Sequence, residues 1–322
     1  MLVKDHRSYH QLFRFFENSH YSLDNFQIQN IHHQEYPSNF LMHDSFQKKL
    51  KTYQNILSFS WDIQSNHLIH CELCVYYSKQ MILNEKQVKT LIDAISFILS
   101  YTTKDGSLKI HLAPLNTKKK IHKNQYHISN LNINSGSSVG NEIFIYRYEE
   151  CLKVLFHECI HYLNFSNSSM FDDKYFDYYR NRYDLNVHKI NFNEAYTEIF
   201  SRLFYCYYIS EKTYSHFLSL LNSEYNFSLY QANKILGFND RTNVNEKTNT
   251  IAYYLITCDL FHNLHRLLDY TLKHKPVFYL SNTESFKKLI FSFQKIKHKK
   301  ILKNQKYYTT MRMTINNHPY FP

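Results

Sequence analysis

Three residues within a span of five carry the first chemical signal in this chain: His157, Glu158 and His161, in the spacing H-E-x-x-H. On a helix, side chains four apart share a face, so the two imidazoles can hold one divalent cation between them. The glutamate beside the first of them is then placed to take a proton from a water at that cation. This is the donor set of a zinc hydrolase. The motif lies in the apolar run Glu150 to Leu163, where Leu152, Leu155, Phe156, Cys159 and Leu163 form one stripe at helical spacing and the histidines project roughly opposite. With twenty histidines in the chain, the pattern arises by chance about one time in twenty, so a second motif is needed beside it.

A zinc ion held by two histidines requires a third protein ligand and keeps a fourth position open. Tyr162 to Ser169 contain no histidine and no glycine, so the third ligand comes from farther along. The best-placed residues are in Asn193-Glu194-Ala195-Tyr196-Thr197-Glu198, which sets two carboxylates on one helix face. Like charges at that spacing repel, so a nearby cation or proton is expected to compensate. Asp172, Asp173, Asp177 and His188, which lie between the motifs, are alternative ligands, and Glu198 could instead pair with Arg202 one turn on.

The stretch Asn193 to Phe200 resembles the second motif of the thermolysin-like, or gluzincin, metallopeptidases. The resemblance implies a zinc-dependent peptidase with one Zn2+ per chain, held by His157, His161 and Glu194, with Glu158 as general base and a peptide or protein as substrate. It places Glu198, with Asn193, in the shell of groups that orients the metal ligands. It also implies an oxyanion donor from the helical half, for which Tyr254 is the candidate and Tyr253 and His262 stand behind it. Asn132-Ile133-Asn134-Ser135-Gly136, Arg147, Glu149-Glu150 and Lys153-Val154, leading into the histidine motif, further resemble uncharacterised metallopeptidase-like proteins of large DNA viruses. Two departures stand out. A Glu occupies position 198 where the family usually has Asp, and the interval between the motifs is longer than in thermolysin-like enzymes.

The elements that must position these residues follow from periodicity. Residues 3–16 read as a helix and 20–45 as polar and irregular. Leu57, Phe59, Trp61 and Ile63, then Ile69, Cys71, Leu73, Val75 and Tyr77, alternate as a hairpin. A helix over 85–101 is capped by Asn84 with Gln87. Strands are expected at 108–112, 126–133 and 142–147, with a turn at 134–138 and an exposed loop at Lys118-Lys119-Lys120. Beyond the motif helix, helices are expected at 170–182, 192–209, 211–222, 228–236, 250–272 and 283–303. The fold class is therefore α+β and, by the resemblance, zincin-like: a small mixed sheet with a backing helix in the first half, the active-site helix, then a mainly helical half. The expected divisions are 1–55, an N-terminal packing segment; 56–165, strand-rich and ending in the motif helix; 166–272, helical with the third ligand; and 273–322, basic and amphipathic.

The 322 residues include 43% hydrophobic ones, enough for a substantial core, and the enrichment in Asn, Lys, Ile, Tyr and Phe matches A/T-rich codons. Of the net charge of +11, residues 273–312 carry +10, from ten lysines and Arg312 against Glu284. Such a segment suits nucleic acid or an acidic partner, with Lys295, Lys297, Lys299, Lys300 and Lys303 as contacts. The alternative to a peptidase is thus an inactive zincin-like virion or scaffolding protein that binds nucleic acid there. Six dispersed cysteines and no apolar leader suggest reduced thiols and an intracellular setting, host cytoplasm or virion if viral. Cys71-x-x-Cys74 falls on a strand, which points its thiols to opposite faces and marks them as structural. No stretch is long enough to span a bilayer.

Overall fold

The computed structural model describes residues 6–32, 37, 44–53, 55–78, 83–122, 128–187, 189–239, 248–280, 283–299, 307–318 and 321. The chain divides into two compact units, each assembled from separate stretches. The sheet unit comprises Asn18–Lys118, Ser135–Leu163 and Asn317–Pro322, and the helical unit comprises Met1–Glu17, Lys119–Asn134 and Asn164–Asn316. The architecture is α+β and zincin-like, with a mixed sheet and flanking helices in the N-terminal half and a mostly helical C-terminal half.

In the sheet unit, β1 (Ser22–His32), β2 (Asn55–Gln64), β3 (Leu68–Tyr77), β4 (Gly106–Leu112), β5 (Gly136–Val139) and β6 (Glu142–Ile145) form one sheet in the order β1-β2-β3-β4-β6-β5. Pairs β1/β2, β2/β3 and β5/β6 are antiparallel, and β3/β4 and β4/β6 are parallel. The register lines up Trp61, Cys71 and Leu108, and likewise Phe59, Leu73, Ile110 and Ile143, so one apolar layer crosses four strands. α3 (Glu85–Leu99) connects the parallel β3 and β4 and covers this layer, where the Trp61 indole donates to the buried Ser96 hydroxyl at 3.1 Å. Its N-cap is the expected box of Asn84 and Gln87. α5 (Cys151–Leu163), the motif helix, packs on α3, β5 and β6. Cys71 and Cys74 are buried and free, on opposite faces by register.

Two expectations for this unit change. The polar stretch 20–45 contains β1, and α2 (Asp44–Leu50) closes it. β1 lies at the sheet edge, almost wholly exposed, and its ladder to β2 rather than any apolar alternation makes it a strand. The turn expected at 134–138 is instead occupied in part by β5, which returns to β6 through Gly140 at φ +61.

The helical unit begins with α1 (Arg7–Glu17), which packs on α10 (Leu264–Thr271). Asn130–Ile133, expected as strand, forms the short helix α4, started by Ser129 and Asn132. Residues 126 and 127 lie outside the described ones. α6 (Asp173–Tyr183) and α7 (Phe192–Ile209) match the expected helices. α8 (Tyr214–Asn239) is continuous where two helices were expected, because Glu224 in its middle is buried rather than solvated. The helix expected at 250–272 is a π-helical turn (Ile251–Ile256), α9 (Thr257–His262) and α10, broken at Asn263.

The last expected helix, α11 (Thr283–Phe291), ends well before 303. Phe293 and Ile296 remain buried on a non-helical run because other side chains satisfy its backbone. Arg182 donates to the Phe293 carbonyl at 2.9 Å, and Asn263 both donates to the Gln294 carbonyl (3.2 Å) and accepts its N–H (3.0 Å). Residues 281 and 282 of the expected cap lie outside the described residues. Residues 309–316 are stitched into the unit. Ile121 N–H donates to the Thr309 carbonyl at 2.8 Å, Met311 N–H to the Lys119 carbonyl at 2.8 Å, and Gln231 to the Arg312 carbonyl at 2.7 Å. Lys119, expected in an exposed loop, is accordingly buried. No helix among the described residues is long and apolar enough to cross a membrane.

Candidate metal centre

β6 delivers the chain to α5 through Glu150, whose φ of +61 reverses the backbone before Val154 N–H closes the first helical turn on the Glu150 carbonyl at 2.9 Å. From Cys151 to Ile160 every residue of α5 is buried, so His157 and Glu158 are held in packed surroundings although they lie off the apolar stripe. His161, one turn on, is half-buried. Its Nε2 stands 3.2 Å from Nε2 of His157, and the two rings cross at 73°. Glu158 lies against β5: a Cβ added at Gly136 would meet Glu158 Oε1 at 3.1 Å and Val154 Cγ1 at 2.9 Å. Gly136, expected in a turn, is the first residue of β5. Burial, opposed by Arg147 and reinforced by Glu158, holds the Tyr146 phenol above its ordinary range. The Cys151 thiol is pushed up to about 12 by burial, as suits a packing residue rather than a ligand.

In the helical unit, Glu194 sits in the first turn of α7, where the helix dipole favours negative charge. The Tyr253 hydroxyl, from the π-helical turn, donates to Glu194 Oε2 at 2.8 Å. Asn193 accepts from Ser166 at 2.6 Å. Glu198 is fully buried and accepts from Arg202 Nε at 2.8 Å. Arg202 also lies 3.9 Å from Glu224 Oε2, while Glu224 Oε1 accepts from Thr314 and from the backbone N–H groups of Ile315 (3.1 Å) and Asn316 (3.2 Å). Burial raises the Glu224 carboxyl above its usual range, and Arg202 opposes that shift.

His157, His161 and Glu194 each offer one ligand atom, and these atoms lie within 4.8 Å of one another. Among the described residues this is the one group of three or more such side chains that could hold a metal ion. The donor set fits a divalent ion of the zinc type. A tetrahedral ion with bonds of about 2.0–2.1 Å to nitrogen places two such nitrogens about 3.3 Å apart, close to the 3.2 Å between the imidazoles. The alternative ligands lie elsewhere: Asp172 is exposed and pairs with Lys287 at 3.0 Å, and Asp177 pairs with Arg180 at 3.3 Å. Asp173 is exposed, and His188 lies outside the described residues.

Tyr254 is fully buried, and its hydroxyl donates to the Met311 carbonyl at 2.6 Å, while Tyr253 is the tyrosine that reaches Glu194. His262 is bonded to Tyr225 at 2.7 Å, and burial lowers its imidazole below the ordinary value. Lys295, Lys297 and Lys299 are exposed, and Lys300 and Lys303 lie outside the described residues. No protein-family model, curated protein or solved structure matches the chain.

Proposed function

We propose that the chain is a zinc-dependent metallopeptidase in which His157, His161 and Glu194 hold the ion and Glu158 is the general base. The observation that carries this reading is the convergence of two imidazoles and a carboxylate, supplied by two motifs in thermolysin-like order. A zinc ion held there would supply a Lewis acid and lower the pKa of a water bound to it toward about 7. Glu158, one residue from His157 and packed against β5, accepts the proton of the attacking water and returns it to the departing amine. Tyr253 orients Glu194 by donating its hydroxyl to the carboxylate, and the Tyr254 hydroxyl is occupied by a backbone carbonyl. Glu198, through Arg202, fixes the α7 turn that carries Glu194. An extended peptide is proposed to add along β5, an edge strand of the sheet, beside Glu158.

Elemental analysis of the purified chain tests the reading, together with hydrolysis of an unstructured protein such as casein. The parent is expected to hold about one zinc per chain. Glu194→Gln should lose most of it, and Glu158→Gln should keep it while hydrolysis disappears. A parent that cannot be loaded with zinc would defeat the proposal. Metal retained in Glu194→Gln would move the third ligand elsewhere.

A further inference from the structure

The run that follows α11 presents Lys295, Lys297 and Lys299 to solvent, alternating with the buried Ile296 and half-buried His298. No acidic side chain pairs with any of the three among the described residues. The run is not a loose tail. Its backbone is bonded to Arg182 and Asn263 at Phe293 and Gln294, and Asn233 accepts from both His298 Nδ1 (2.8 Å) and Lys299 N–H (2.9 Å). Lys295 is further held by its ammonium lying 5.3 Å over the Tyr183 ring. Three cations therefore stand in line on a fixed support, and little backbone entropy remains to be lost when a ligand binds them.

We propose that this basic ribbon binds the phosphate backbone of nucleic acid without sequence preference. Lys295, Lys297 and Lys299 alternate with the inward-facing Ile296 and His298, so the three cations are offered to solvent from one short run. One strand of duplex carries a phosphate for about every 3.4 Å of helix axis, a dense line of negative charge for such a row of cations to meet. A membrane surface fits less well. Interfacial segments need apolar side chains to enter the acyl region beside their cations, and Ile296 points into the protein. Neither the residues nor the test of this proposal involves the metal group, so it stands or falls separately from the peptidase reading.

The test measures binding of the full chain to a fluorescently labelled 20-base-pair duplex by anisotropy, across 50 to 200 mM salt. It compares the parent, a triple variant Lys295→Gln, Lys297→Gln and Lys299→Gln, and a charge-matched control Lys86→Gln, Lys89→Gln and Lys104→Gln, whose lysines are exposed on or just after α3. The ribbon variant should lessen the slope of log affinity against log salt by about 2.7, equivalent to about 40-fold less loss of affinity over that range. The control should leave the slope nearly unchanged. Parent chain that does not bind the duplex, or equal weakening by both triple variants, would overturn the proposal. So would ribbon-dependent binding to phosphatidylserine vesicles that is tighter than binding to the duplex. Matching thermal melts of the three proteins establish that the substitutions leave the fold intact.

Discussion

Tyr253 and Tyr254 are neighbours in sequence with different tasks, one hydroxyl on Glu194 and the other on the Met311 carbonyl. Removing the first should loosen a ligand, because groups that orient a metal-binding carboxylate are worth about 10- to 100-fold in metal affinity. Tyr253→Phe is therefore expected to weaken zinc binding by that factor with little change in melting temperature. Tyr254→Phe should instead cost about 1 kcal/mol of stability and leave zinc affinity alone, as competition with a chromophoric chelator would show. At Gly136 the space beside Glu158 is the issue. Gly136→Ala puts a methyl 3.1 Å from Oε1 of Glu158 and 3.0 Å from the Phe144 carbonyl, so hydrolysis should fall at least ten-fold while bound zinc stays at the parent level. His111, on the other face of the sheet, is lowered to about 4 by burial and by Lys109, and bonds Tyr76 at 3.0 Å. The unfolded chain takes up this proton near pH 6.5 and the folded chain only near 4, so stability is lost as pH falls between those values. The loss amounts to up to about 3 kcal/mol. His111→Gln should flatten that part of the curve of melting temperature against pH.

Among elements, α7 and α8 are joined through charge rather than apolar packing alone. Glu198, Arg202 and Glu224 are all buried, and Glu224 also receives the backbone of 315 and 316. Replacing the central cation strands two carboxylates, so Arg202→Met should cost about 3–5 kcal/mol at pH 7. Carboxyls whose folded values are raised bind protons more tightly folded than unfolded, and the deficit should shrink on acidification. Urea denaturation at pH 7 and pH 5 measures it. The gap expected between residues 222 and 228 is bridged in α8, where Glu224 is buried among partners that periodicity does not show. The insertion between the two motifs is likewise anchored by buried acid. Asp259 on α9 accepts from Tyr179 (3.2 Å) and Tyr183 (2.7 Å) of α6, contacts no periodicity reveals.

At the scale of the whole molecule, the chain passes five times between the two units, so no single cut separates them. Residues 307–316 are part of the helical unit, and removal of residues 307–322 is expected to yield aggregated protein, because Lys119, Gln231, Glu224 and Tyr254 lose partners together. Size-exclusion profiles of that truncation beside the ribbon variant would separate a folding role of the segment from a binding role of its lysines. Within the basic stretch 273–312, Lys295, Lys297 and Lys299 are carried on backbone that the fold holds in place.

The sequence by itself determined the pairing of His157 with His161, since two residues four apart on a helix share a face wherever the helix lies. It also determined the hairpin of β2 and β3, the capped α3 and the span of α7, because each has a local period or cap. Only the tertiary structure decided which tyrosine meets Glu194. The two differ by about 100° of helical phase, and a π-helical turn shifts that phase in a way no apolar pattern records. It alone decided that β1 is a strand and that α11 stops at Phe291, since both depend on hydrogen bonds to residues distant in the chain. Local chemistry is written in spacing, whereas the partners of a buried polar group are set by packing.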